Sequence, residues 1–92
     1  MLELVKEYLR LDGNDEDLIL NHLIDSAKEY LKNATGVDFD EGNHNHKMVV
    51  LLLTTRWYEN RNLIGKGGND LDFTLSSMLL QIELEGKINE AN

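Results

Sequence analysis

Ninety-two residues carrying nine Lys and Arg against seventeen Asp and Glu, a formal net charge of −8, leave room for one small core and disfavour any role that wraps nucleic acid by neutralising phosphates. A hydrophobic share of 41% beside 28% charged residues is that of a folded globular chain, not a disordered one. Cysteine is absent, which excludes disulfides, thiolate zinc sites and a cysteine nucleophile. The longest apolar run, Met48 to Leu53, is far below the roughly 20 residues that span a bilayer. The first residues alternate Glu and Lys with leucine and show no leader pattern, so a cytoplasmic origin is expected.

Leu2 to Arg10 has apolar residues at Leu2, Val5 and Leu9 and again at Leu4, Tyr8 and Leu11, which predicts a short helix stopping near Asp12 and Gly13. A second helix is predicted with Asn14 as its cap. Asp15, Glu16 and Asp17 fill its first turn, where free amides and the helix dipole favour negative charge. Its apolar stripe is Leu20, Leu23, Ile24, Ala27, Tyr30, Leu31 and Ala34, and Gly36 marks its end. An acidic, glycine-bearing loop from Val37 to Asn43 follows.

From about Asn45 to Arg61 the β-branched Val49, Val50, Thr54 and Thr55 would suit a strand, but no other segment alternates with period two to pair with it. A helix apolar on nearly all sides is the expectation. Three glycines in four positions, Gly65, Gly67 and Gly68, predict a mobile loop. The last helix is expected to start near Asp72 or Thr74 and to bury Leu75, Met78, Leu79 and Ile82. Beyond Leu84 only Ile88 is strongly apolar, so residues of about 85–92 are expected to form a flexible tail. The whole chain, 1–92, is thus expected to be one all-α domain resembling a small four-helix bundle.

Several chemical motifs fail on inspection. His44 and His46 stand two apart, a spacing that does not share a helix face, and with no third histidine nearby they are taken as solvated loop residues at a helix start. His22 lies beside the second helix's core stripe. The acidic stretches from Asp12 and Asp38 lack the sixth-place glycine and twelfth-place glutamate of a calcium loop. Gly65-Lys66-Gly67-Gly68 lacks the spacing and the Ser or Thr of a phosphate loop. Ser76 and Ser77 have no histidine at a predictable position and no glycine-flanked elbow. No metal, no cofactor and no catalytic residue is therefore assigned, and an enzyme is not expected.

What remains is Trp57-Tyr58-Glu59-Asn60-Arg61, closing the most apolar segment. Adjacent aromatics on a helix point about 100° apart, so one can anchor the core while the other faces outward beside Arg61. Trp, Tyr and Arg are also the residues enriched at binding hot spots. A purely structural role for the pair weighs equally on this reading.

The opening Leu2-Glu3-Leu4-Val5-Lys6-Glu7-Tyr8-Leu9-Arg10-Leu11-Asp12-Gly13, the run from Ala27-Lys28-Glu29-Tyr30-Leu31 to Gly36, and Leu51-Leu52-Leu53 to Arg61 resemble, in order and spacing, the small head-tail connector proteins of tailed bacteriophages. The likeness continues through Leu71-Asp72-Phe73, although that family often carries proline where this chain has Asp72. It implies an all-helical structural subunit, encoded by a phage or prophage and made in the bacterial host cytoplasm. Such a subunit forms a homo-oligomeric ring under the portal protein at the head-tail junction of the virion. The ring would extend the channel through which DNA passes without sequence-specific binding, then receive the next head-completion or tail component. By that likeness, subunit contact is assigned to Tyr58 and Arg61, and docking to Lys66 and the C-terminal tail with Ile88. The competing readings are an acidic helical DNA mimic or regulatory protein-binding module and, behind it, a metal-dependent hydrolase using His44 and His46.

Overall fold

A computed structural model describes residues 1–64 and 73–91, with side chains as far as Ile88. The described residues form four α-helices and no strand: α1 Leu2–Leu9, α2 Asp17–Thr35, α3 His44–Glu59 and α4 Phe73–Ala91, with a 3-10 turn at Arg61–Leu63. The glycine-rich loop and Lys66 lie outside the described residues.

α3 is the central rod and touches every other helix, while α1 and α4 each pack on both α2 and α3. Val49, Val50, Leu53, Thr54 and Trp57 of α3 are fully buried, so helical burial on several sides overrides the strand preference of its β-branched residues. Against it α2 packs Leu20, Leu23, Ile24, Ala27 and Leu31, and α4 packs Leu75, Leu79 and Ile82. Val5 is the residue α1 buries completely. At 45 × 29 × 18 Å the molecule is about two helices thick, so α4 keeps an outer face that no other part of the described chain covers.

The ends of the helices depart from expectation in three places. α1 stops at Leu9, because Arg10 adopts the left-handed conformation (φ 57°) and the Leu11 N–H reaches the Lys6 carbonyl at 2.9 Å, a closure normally left to glycine. Asn14 does not cap α2. Its side-chain oxygen accepts from Lys6 Nζ at 3.2 Å, so a tertiary cation takes the side chain expected to cap the helix, and the same ammonium lies 3.0 Å from Asp17 Oδ1 in the first turn of α2, where an acidic residue is expected. At the other end of α2, Gly36 is left-handed as expected, but Ala34 is exposed and Thr35 is buried, its hydroxyl donating to the Leu31 carbonyl at 2.7 Å.

The residues from about 85, expected as a tail, continue α4. α4 runs to Ala91, and Gly86 packs so closely on Val37 that an added β-carbon would stand 2.5 Å from Val37 Cγ2. Contact with the loop after α2 holds this part of the helix.

Candidate functional site

Trp57 and Tyr58 take the two orientations their adjacency dictates. Trp57 is fully buried and meets Tyr30 edge to face, with ring centroids 5.9 Å apart. Tyr58 is half-buried, and its hydroxyl donates to Glu16 Oε2 just ahead of α2. The bond to Glu16 holds the phenol above its ordinary value of 10.0; desolvation and the glutamate's charge act in the same direction, while Arg61 opposes them. Tyr58 therefore braces the corner between α2 and α3. After it, the Asn60 side-chain oxygen accepts from the Asn62 N–H at 3.2 Å and opens the 3-10 turn that presents Arg61 to solvent.

Beside this corner lies a groove of about 380 Å³. Its floor is the α3 face of Leu52, Thr55, Arg56 and Glu59; Tyr8 of α1 and Leu75 of α4 form its sides, and Asn60 and Leu63 line its end. Tyr8 is 56% exposed. Its lining is mixed, with Tyr8, Leu52, Leu63 and Leu75 beside the polar Thr55, Arg56, Glu59 and Asn60.

The other open surface is on α4. Phe73, Leu80, Leu84 and Ile88 are 85%, 55%, 50% and 61% exposed, and their spacing of seven, four and four places them along one side of the helix. α4 is thus apolar on two opposite faces, one in the core and one in solvent. Ile88, singled out from sequence as an isolated apolar residue in a tail, belongs to this stripe. The signal was present in the i, i+4, i+8 spacing of Leu80, Leu84 and Ile88.

The histidines have a structural role. His44 is exposed on the first turn of α3, but His46 is only 4% exposed and its Nδ1 accepts the Asp40 backbone N–H at 3.0 Å, tying the loop after α2 to α3. The expectation that both are solvated loop residues fails for His46, because Asp40 supplies its buried ring nitrogen with a donor. Asn43 caps α3, accepting from the His46 N–H at 3.2 Å. Among the described residues no group of three or more His, Asp or Glu side chains could hold a metal ion, and no helix is long and apolar enough to cross a membrane.

An all-α domain with an apolar helix face open to solvent has the surface of a protein-interaction module. The family model of the phage gp6-like head-tail connector proteins matches residues 1–90, nearly the full length, and the chain belongs to that family. No curated protein and no solved structure matches it. The family is structural and non-enzymatic, so this is a connector component of a phage virion, with head and tail components as its class of partner.

Proposed function

We propose that the chain is the subunit of a homo-oligomeric ring that sits under the portal at the head-tail junction, extends the DNA channel and receives the next head-completion or tail component. The match to the connector family over residues 1–90 carries this reading. Two physical features support it. A small domain with a second apolar helix face gains stability when neighbouring copies or docking partners cover that face. A net charge of −8 lets DNA move past without tight phosphate contacts.

In this role Arg61 and the corner braced by Tyr58 belong to the contact surface between subunits. Lys66 and, through the outer face of α4, Ile88 serve in docking. Electron microscopy of portal assemblies incubated with the chain tests the proposal. The expected image is added ring density at one end of the portal, and portals that stay bare at saturating concentrations of the chain contradict it.

A further inference from the structure

A pocket of about 290 Å³ opens where the loop after α2 meets the start of α3 and the last part of α4. Val37 and Ile82 give it an apolar floor, and Asp38, Asp40 and Glu85 bring three carboxylates to a lining that holds no lysine or arginine. Lys32 reaches Asp38 at 3.0 Å, and Asp40 Oδ1 accepts the Gly42 N–H at 2.9 Å. Asp40 and Glu85 are exposed and make no ion pair among the described residues.

His46 adds a donor to these acceptors. It is only 4% exposed, and because Nδ1 accepts the Asp40 N–H at 3.0 Å, the proton of the neutral ring sits on Nε2. That N–H has no hydrogen-bond partner among the described residues, and it is not sealed in the core, since His46 lines the pocket. A deeply set ring nitrogen that the fold leaves without an acceptor points to one brought from outside.

We infer that the pocket takes an arginine side chain of the docking component, with the guanidinium on Asp40 and Glu85 and a main-chain carbonyl of the same segment accepting from His46 Nε2–H. This rests on the connector reading for the source of the partner and deepens it by naming the chemistry of one contact.

Charge and hydrogen bonding select that occupant. Three carboxylates without a cation in the lining repel DNA phosphates and acidic segments and attract a positive group. A bare metal ion offers the imidazole no acceptor, and no group of three or more His, Asp or Glu side chains among the described residues could hold one. A guanidinium presents its donors as a planar fork that can meet two carboxylates, whereas an ammonium is a point charge. Its methylene stem suits the Val37 and Ile82 floor, and the peptide that carries it supplies the carbonyl. Glu85 and Ile88 are three apart and so neighbours on α4, which sets the pocket beside the residue assigned to docking.

The test is a titration of the isotope-labelled full chain with acetyl-Gly-Arg-Gly amide, read by nuclear magnetic resonance at the backbone amides and the His46 ring nitrogens. Saturable shifts are expected at the Asp40 and Gly86 amides and at His46 Nε2, and none from acetyl-Gly-Glu-Gly amide. Methylguanidinium, which has the cation without the carbonyl, is expected to move the amides and leave Nε2 unmoved. Asp40→Asn with Glu85→Gln removes two exposed charges and keeps an oxygen for the Gly42 N–H. This variant is expected to stay helical by circular dichroism and to bind the arginine peptide about tenfold or more weakly. Glu85→Gln alone leaves the loop untouched and is expected to weaken binding in the same direction.

A response that is absent or does not saturate, equal shifts from the glutamate peptide, or undiminished binding by the folded carboxylate variants would overturn the pocket assignment and leave the connector reading standing. Arginine-peptide binding by a chain that leaves portals bare would keep the pocket and remove the docking component as its partner.

Discussion

The Tyr58 hydroxyl at the end of α3 donates to the Glu16 carboxylate ahead of α2, joining two corners of the domain across 42 residues of sequence. Tyr58→Phe keeps the ring and removes the bond, so it is expected to cost about 1 kcal/mol in urea unfolding. The pH dependence has a definite sign. The folded phenol is held above 10.0 chiefly by its bond to Glu16, so folding favours the protonated form. The contribution is complete below the unfolded value and disappears as pH rises through the higher folded one. The stability difference between wild type and Tyr58→Phe should therefore be constant to about pH 10 and shrink above it.

Gly86 discriminates between helix propensity and packing. In an exposed helix, Gly→Ala gains about 1 kcal/mol. Here the new methyl would stand 2.5 Å from Val37 Cγ2, on a short, stiff side chain, so Gly86→Ala is expected to destabilise by about 1–3 kcal/mol. Gly86→Ala combined with Val37→Ala should recover part of that loss, as a double-mutant cycle in urea would show.

Thr54 is completely buried in α3, and its hydroxyl has no hydrogen-bond partner among the described residues. Thr54→Val removes the uncompensated polar atom at nearly constant shape and should raise stability by about 1 kcal/mol with an unchanged urea m-value.

Arg10 holds a left-handed backbone at φ 57°, a conformation that costs a side-chain-bearing residue roughly 1–2 kcal/mol. Glycine relieves this while gaining freedom in the unfolded chain, so Arg10→Gly is expected to raise the thermal midpoint by a few degrees.

The parts of the fold decided by local spacing were legible in the sequence. Leu20, Leu23, Ile24, Ala27 and Leu31 repeat at helical intervals and are buried, and Gly36 stops α2 in the left-handed state that glycine favours. The departures come from partners distant in sequence. Lys6 of α1 draws on Asn14, the Asp40 amide satisfies Nδ1 of a buried His46, and Val37 holds α4 at Gly86.

For the candidate site, adjacency alone separated an inward Trp57 from a less buried Tyr58, but Glu16 as the hydroxyl's partner needed the tertiary fold. The outer stripe of α4 was hidden because apolar residues on opposite faces cancel in any measure of sidedness, leaving Leu75, Met78, Leu79 and Ile82 as the visible core face. The groove could not be read, since Tyr8, Leu52, Leu63 and Leu75 come from four separate elements.

The most direct test of the connector reading is the solution mass of the full chain by sedimentation equilibrium, over a concentration series and then with a portal assembly added. The account expects many copies to associate in a closed complex, alone or on the portal. A 10.5 kDa monomer at every concentration, unchanged by the portal, would contradict it.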